Sequence, residues 1–436
     1  MTPDQTAPPP SSLLKAERVE HWLRWIFGFV LLVRLLYPFF NSPLDHLGSD
    51  PLMHWENGQR LFAPNLMGSI DPYLYQVVVH LIQILPGPTA AVVSTSIGLL
   101  CAAMPYGWYR AFKELLPRSW AFGGAIVMGV IPAFLGIYGY LMNETLLLTL
   151  TGFAFWATFR AHRKRSVAAF TVACVLWLLA GFTRNTALPA ALLCLLSIWL
   201  PQPGKLIKTV IGVVVLCALA IPAGMHARTN LNYFAPFGGT DLTSIYNHSG
   251  NTAISIHTIN AAVPGTPIRY DYWFSSPSFN NQTFYPFSDW FTDRSGTANI
   301  NIDISKGRRA WLEENARVSA ARTMSMWAIT WENFLYLSFG QSWPDNDLNT
   351  VIGWLTVWMR WLWPVLIVVI AGAASLRRYR GREWLLPACG LGLFALLAVQ
   401  QAGVMEARYR KPIDPIFVAA AVVLVYRSRQ TTIKAS

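Results

Sequence analysis

The chain has 436 residues, of which 53% are hydrophobic, only 13% are charged and 19 are Trp. With a mean hydropathy of +0.35, this composition excludes an ordinary soluble domain of the same length. The net charge of +12 does not indicate a nucleic-acid partner, because the Lys and Arg residues fall in short clusters between hydrophobic segments. The composition therefore predicts an all-α polytopic membrane protein.

Polarity divides the chain into five regions. We expect a Pro-rich, disordered cytoplasmic tail over 1–22, an N-terminal transmembrane module over 23–225 and a long extracytoplasmic loop over 226–350. C-terminal transmembrane helices over 351–426 and a cytoplasmic tail over 427–436 complete the chain. The first outer loop is 41–88, and an amphipathic helix is predicted over 306–339, where aromatic side chains suit the membrane interface.

Spanning helices need about 20 mostly apolar residues, and roughly ten segments meet that criterion. The predicted segments are Leu23 to Phe40, Thr89 to Tyr106, Trp120 to Tyr138, Glu144 to Phe159, Val167 to Phe182, Thr186 to Leu200, Leu206 to Ala223, Val351 to Ser375, Trp384 to Gln401 and Ile413 to Tyr426. No A-x-A cleavage pattern follows the first segment, so we expect it to remain as an uncleaved helix.

Basic residues set the predicted orientation, because Lys and Arg favour the cytoplasmic ends of spans. With ten alternating spans, most basic clusters fall on one side together with both termini. One exception is MEARYRKP, which places Arg408, Arg410 and Lys411 on a short outer turn and makes them a candidate anion site. We expect the outer face to be periplasmic or extracytoplasmic, and the Pro-rich tail with the lack of loop cysteines favours a bacterial inner membrane.

The outer face also collects acids. The first outer loop carries Asp45, Asp50, Glu56 and Asp71 among aromatic and apolar residues, and a carboxylate at the rim of a membrane domain can be tuned as a base. Two further charged residues lie at predicted helix mouths on the same face, namely Glu144 in GYLMNETLLL and Arg184 in GFTRNTALP. The sequence thus predicts a polar pocket that opens on this face.

Simpler roles exist for each of these residues. Asp50 before Pro51 suits a helix start, and Asp45 and Asp71 suit solvated turns. Glu144 and Arg184 could form a structural ion pair with each other.

Other charged side chains also have simpler alternatives. The Arg408 cluster could bind lipid headgroups. Arg34 and Arg360, inside or beside spans, fit buried or snorkelling partners better than catalysts.

Metal and cofactor signatures are weak in this sequence. His46 and His54 stand near Asp50 and Glu56, but their spacing matches no metal-site signature. The five cysteines lie in apolar runs without a CxxC pair, which indicates neither a disulfide framework nor a thiolate metal site. The sequence indicates no cofactor and contains no P-loop. A divalent metal could assist the chemistry described below, but no sequence motif indicates one.

The residues support transfer of a group from a lipid-phosphate donor. A carboxylate can deprotonate an acceptor hydroxyl, while Arg or Lys neutralises the departing phosphate. Base and cation must approach one donor from opposite ends, and the predicted topology brings them to the same face.

At this level the chain resembles the C-type (GT-C) superfamily of membrane glycosyltransferases. The resemblance rests on the acidic loop after the first helix, GSDPLMHWENGQRLF, on GYLMNETLLLTL and FTRNTALPAALL, and on EARYRKPIDPIFVAAAVVL near the end. The last segment is similar to an element of the aminoarabinose and protein mannosyl transferase branch, whereas Asp50-Pro51 departs from the common Asp-Glu pair of the first loop.

The resemblance implies a GT-C-like bundle of about ten helices that transfers a hexosyl or pentosyl group, with inversion, from a polyprenyl-phosphate sugar. The hydroxyl acceptor would be a glycolipid, a polysaccharide or a protein. By position the base is Asp50, the second acid is Glu144 with Asp45, Glu56 or Asp71 in support, and the donor phosphate falls to Arg184, Arg408, Arg410 and Lys411.

Two other functions remain open on the sequence. A lipid-linked oligosaccharide polymerase or ligase would depend on the late outer loop rather than on the first-loop acids. A lipid or sugar transporter would need polar residues deep in its spans and often repeat symmetry, whereas this chain concentrates charge at helix mouths.

Overall fold

A computed structural model describes residues 10–47, 50–59, 61, 73–85, 87–227, 334, 337, 338, 351, 352, 355, 359, 361–399 and 410–435. Within these residues the protein is helical and contains no strand. The expectation of an all-α protein is therefore confirmed for the described part of the chain. Most of the predicted amphipathic helix over 306–339 lies outside the described residues. The residues of this range that are described, 334, 337 and 338, are helical.

Thirteen α-helices are described in chain order. They are α1 (Pro10–Phe40), α2 (Asp50–Gln59), α3 (Tyr73–Ile84), α4 (Ala90–Leu115), α5 (Arg118–Val130), α6 (Ala133–Gly136), α7 (Asn143–Lys164), α8 (Val167–Thr183), α9 (Leu188–Trp199), α10 (Pro203–Ala227), α11 (Leu362–Ser375), α12 (Leu385–Val399) and α13 (Asp414–Ala435). Short 3₁₀ turns lie at Pro43–His46, Ile137–Gly139, Asn185–Ala187 and Gly381–Trp384.

Three helical segments in the described part are long and apolar enough to cross a membrane, namely Glu17–Phe40, Ala90–Leu115 and Gly381–Ala398. A fourth would be Arg118–Val130 with Ala133–Gly139, a pair bent by 71°. Shorter apolar helices occupy several other predicted spans, including Val167–Thr183 and Leu188–Trp199. These findings support a membrane protein. Among the described residues three or four spans are established by length and composition, and about ten spans stay a prediction.

The predicted third span is interrupted at Ile131 and Pro132, between α5 and α6. Proline has no N–H for the helix ladder, so the carbonyls before it need other partners. Arg34 of α1 bonds one carbonyl on each side of this break, since its Nη1 donates to the Gly129 carbonyl at 3.1 Å and its Nη2 to the Phe134 carbonyl at 2.7 Å. The expectation that Arg34 is a buried structural partner is therefore confirmed.

The core lies where α4 packs between α1 and α7. Aromatic rings fill it: Trp108 stacks on Phe155 with ring centroids 5.5 Å apart, and Trp177 meets Phe155 edge-on at 5.3 Å. The polar edge of Trp177 is satisfied because its Nε1 donates to Thr158 Oγ1 at 2.9 Å. Such interlocked rings supply much of the apolar burial that holds these helices together.

Large apolar side chains also cover the outside of the bundle. On α1 these include Trp25, Phe29 and Leu32, which are half or more exposed and lie on one helical face. An apolar face of this size is unfavourable in water and suits a hydrocarbon environment.

Basic helix ends gather at one end of the bundle, which we call the basic end. Ion pairs between side chains of different elements connect these helix ends: Arg118 with Glu20 (Nε to Oε1, 3.1 Å), Arg163 with Glu114 (Nε to Oε2, 2.8 Å) and Arg427 with Glu383 (Nε to Oε1, 3.0 Å). The expected grouping of these basic clusters on one face is thus present in the fold.

Helices extend into both predicted tails. Helix α1 begins at Pro10, so the expectation of disorder through residue 22 was wrong for residues 10–22. The stretch LLKAERVEHW is rich in strong helix formers, and Glu20 pairs with Arg24 one turn later. At the other terminus α13 continues to Ala435 through the predicted tail over 427–436.

Candidate functional site

Glu144 and Arg184 form a buried ion pair at the end of the bundle opposite the basic end. Glu144 lies in the first turn of α7 with no exposed surface, and Arg184 directly follows α8 with 11% of its side chain exposed. Arg184 Nη1 contacts Glu144 Oε1 and also donates to Asn143 Oδ1 at 3.2 Å. The pairing of these two residues, one of the alternatives from the sequence, is confirmed, and the helix N-terminus adds favourable charge for the carboxylate.

Asp50 is the first residue of α2 and is followed by Pro51, as expected for an Asp-Pro helix start. Its side chain is partly buried. Helix α2 is fixed on α3, because a ring nitrogen of His80 bonds the Gly58 carbonyl at 2.7 Å and Gln83 Nε2 donates to the Trp55 carbonyl at 2.9 Å. The base proposed from the sequence therefore sits on a short helix with a defined position.

Two side chains link the start of α2 to the buried ion pair. His54 lies one helical turn after Asp50 and meets the ring of Tyr75 edge-on, with centroids 5.1 Å apart. Tyr75, on α3, is fully buried, and its hydroxyl is outside hydrogen-bonding geometry for every group that the structure describes. Burial raises the pKa of Tyr75, and the nearby Glu144 carboxylate adds to this shift.

A second polar chain reaches the same place from the core. Tyr138 donates to the Thr145 carbonyl at 3.1 Å and bonds Thr149 Oγ1 at 3.0 Å. The Arg34 guanidinium lies 5.4 Å from the centre of the Tyr138 ring. The first turns of α7 are therefore held on both sides by buried polar groups, which gives Glu144 a rigid setting.

The other first-loop acids differ in their surroundings. Asp45 is exposed in the 3₁₀ turn Pro43–His46, as expected for a turn acid, and Glu56 is partly buried on α2. Asp71 lies outside the described residues. The structure thus brings Asp50 and Glu56 onto one helix and leaves the support of Asp50 by Asp45 or Asp71 as a prediction.

Arg410 is buried and already has protein partners. Its Nε donates to Asp414 Oδ1 at 2.8 Å, and its Nη1 donates to the carbonyls of Leu337 and, at 3.0 Å, Ser338. The guanidinium also lies 5.1 Å from the centre of the Trp363 ring. Arg410 therefore connects the start of α13 to the residues at 337–338. The sequence had predicted a phosphate ligand at this position and not this structural role.

The other two members of that cluster are Lys411 and Arg408. Lys411 is buried, with 2% of its surface exposed, and Arg408 lies outside the described residues. Their role as phosphate ligands stays a prediction.

The described residues offer no group of three or more His, Cys, Asp and Glu side chains that could hold a metal ion. His46 bonds Asn41 Oδ1 at 2.8 Å and lies against Tyr140, with ring centroids 4.6 Å apart. His54 instead faces Tyr75. The two histidines thus have separate partners.

Sequence reasoning missed Tyr75, Asn143 and Asp414 in this region. Tyr75 stands in an apolar helical run, where nothing in the pattern separates a buried hydroxyl beside a carboxylate from an ordinary core ring. Asp414 could have been found, because it stands four residues after Arg410 and opens the last helix.

Comparison with known proteins adds no relative. No protein-family model matches the chain, and no curated protein matches it either. The resemblance to the GT-C superfamily therefore rests on the sequence segments described above.

Proposed function

We propose that this protein is a membrane glycosyltransferase that moves a sugar from a polyprenyl-phosphate donor to a hydroxyl acceptor on the extracytoplasmic face. In this proposal the shorter apolar helices join the three candidate spans in a GT-C-like bundle. The acceptor is a glycolipid, a polysaccharide or a protein, and membrane lipids surround the bundle.

One observation carries the proposal: the start of α2 and a buried carboxylate with its arginine lie at the same end of the bundle. His54 of α2 contacts Tyr75, which packs in one cluster with Leu146 of α7, and Glu144 in the first turn of α7 pairs with Arg184. A partly buried acid beside a rigid, charged polar cluster is the arrangement that a general base needs.

In the proposed reaction Asp50 takes the proton of the acceptor hydroxyl. The acceptor oxygen then forms a bond to the anomeric carbon, while the bond from that carbon to the phosphate oxygen breaks and its electron pair leaves with the polyprenyl phosphate. Attack opposite to the leaving group inverts the configuration. The leaving phosphate gains charge in the transition state, so a nearby cation lowers the barrier.

Arg184 is the described cation best placed for that task. Its contact with Glu144 neutralises part of its charge but also fixes the orientation of the guanidinium. We therefore assign Glu144 the role of positioning Arg184, whereas Arg410 is committed to Asp414 and main-chain carbonyls.

The test is transfer from a panel of radiolabelled polyprenyl-phosphate sugars by purified protein, with native membranes as the acceptor source. Asp50→Asn keeps the size of the side chain but removes the base, and we expect turnover to fall by at least about 100-fold. Glu17→Gln is the control, because Glu17 is an exposed acid outside the first outer loop and has no role in the proposed site, and we expect near-normal turnover.

Equal turnover in Asp50→Asn and the wild type would remove Asp50 from the base role. If folded wild-type protein consumed no donor across the panel, monosaccharide transfer itself would be refuted. Transport of a labelled lipid without a covalent product would then favour a transporter.

A further inference from the structure

The basic end carries two arginines on the ring of one tryptophan. Trp156 and Arg160 lie four residues apart on α7, and the Arg160 guanidinium is 5.6 Å from the centre of the Trp156 ring. Arg110 reaches the same ring from α4, with its guanidinium 4.5 Å from the ring centre. The indole therefore positions two cations from different helices, and cation–π contact of this kind restricts their motion.

These two guanidiniums keep hydrogen-bonding capacity. Arg110 donates from Nη1 to the Tyr106 hydroxyl at 3.2 Å and has no carboxylate within ion-pair distance among the residues that the structure describes. Arg160 approaches Glu114 only at 4.0 Å and makes no described hydrogen bond. Arg163 forms the closer ion pair with Glu114, with its Nε 2.8 Å from Oε2.

An arginine pair of this kind suits a phosphate group. Guanidinium presents a planar fork of N–H donors that binds phosphate oxygens in pairs, and stacking on an aromatic ring leaves the edge of the fork free for that purpose. Arg110 is near the C-terminal end of α4, a candidate membrane span, and Trp and Tyr favour the depth of lipid headgroups. The cations thus lie where a lipid phosphate would be.

We propose that Arg110, Arg160 and Trp156 form a binding site for the headgroup phosphate of an anionic membrane lipid. The site is at the basic end, away from Glu144 and Arg184 at the other end of α7, and it does not depend on the proposed glycosyl transfer. Because the site joins α4 to α7, a bound lipid also stabilises the packing of these two helices.

The test is native mass spectrometry of the full-length chain titrated with phosphatidylglycerol, which gives the affinity of the first bound lipid. We expect Arg110→Gln with Arg160→Gln to weaken that affinity by about tenfold or more, since the charge-assisted hydrogen bonds to the lipid phosphate are lost. The matched control is Lys164→Gln with Lys208→Gln, which removes the same charge at exposed positions of the same end. We expect the control to change the affinity less than about twofold, because it removes only diffuse attraction.

Equal weakening in both double variants would overturn the proposal in favour of diffuse electrostatics. Arg110→Lys with Arg160→Lys keeps both charges for folding but lacks the planar fork, and its affinity should lie between those of the wild type and the Gln pair. Wild-type affinity in the Lys pair would contradict bidentate binding. Displacement of the lipid by millimolar inorganic phosphate would show a site for soluble phosphate instead.

Discussion

At the scale of single residues, Arg34 is a buried cation whose hydrogen bonds go to main-chain carbonyls of three other segments. Its Nε donates to the Cys101 carbonyl of α4 at 2.7 Å, in addition to the Gly129 and Phe134 carbonyls at the break before α6. Only 1% of the residue is exposed. The side chain satisfies acceptors that the interrupted helix cannot satisfy itself, so the bend between α5 and α6 depends on it.

Replacement of Arg34 by Met should therefore destabilise the protein strongly. The change leaves three buried carbonyls without these donors, and we expect a loss of about 3 kcal/mol or more in the free energy of unfolding. Arg24→Met on the same helix is the matched control, because Arg24 is half-exposed and its ion pair among the described residues is with Glu20, so its loss should cost less than about 1 kcal/mol. Thermal unfolding in detergent measures both, and equal costs would contradict the structural role of Arg34.

At the scale of helices, the packing of α1 on α4 depends on one glycine. A Cβ atom added at Gly98 would lie 2.3 Å from the Leu35 carbonyl oxygen, so the two backbones approach too closely for any other residue. Small residues allow this kind of contact between membrane helices. The close approach also brings Arg34, the neighbour of Leu35, to the Cys101 carbonyl.

Gly98→Ala should destabilise the protein even though Ala is the better helix former. The clash requires α1 and α4 to move apart, which we expect to cost about 1–3 kcal/mol in the free energy of unfolding. Gly123→Ala on α5 is the control, because an added Cβ there has no neighbour within 4 Å. We expect it to stabilise by up to about 1 kcal/mol. Thermal unfolding of the two variants should thus shift in opposite directions, and a stabilised Gly98→Ala would contradict the close approach.

At the scale of the whole molecule, the bundle has two chemically different ends. The basic end gathers helix termini through ion pairs such as Arg118 with Glu20 and Arg163 with Glu114. The other end carries the buried pair of Glu144 with Arg184 and the start of α2. Because positive charge is retained on the cytoplasmic side of a membrane, this polarity favours a cytoplasmic basic end and an extracytoplasmic site.

Single cysteines introduced at exposed positions test this orientation. We expect Lys208→Cys, at the basic end, to react with an impermeant maleimide only from the cytoplasmic side, and Asp45→Cys only from the outside. The four cysteines that the structure describes as free are buried, which keeps their background labelling low. Labelling of both positions from the same side of sealed vesicles would refute the proposed orientation.

The pattern of apolar segments and basic clusters predicted much of this architecture. Helices occupy most of the described residues in the predicted spans, with a break at Ile131 and Pro132 in the third, because apolar segments in a bilayer must satisfy their backbone groups internally. The pattern also anticipated a helix start at Asp50 and the pairing of Glu144 with Arg184, since charged residues at helix mouths need partners. The preference of Lys and Arg for one side of a membrane correctly predicted that the basic helix ends lie together at the basic end.

Other features were decided only by the tertiary structure. Residues far apart in the chain meet in three places, and no local pattern encodes such contacts. These are the packing of α2 on α3, the contact of His54 with Tyr75 and the hydrogen bonds from Arg34 to three segments. Arg410 likewise gained its partners at 337–338 from packing. Hydrophobicity and charge act through local composition and are legible in sequence, whereas the pairing of particular buried polar groups depends on which helices meet and at what distance.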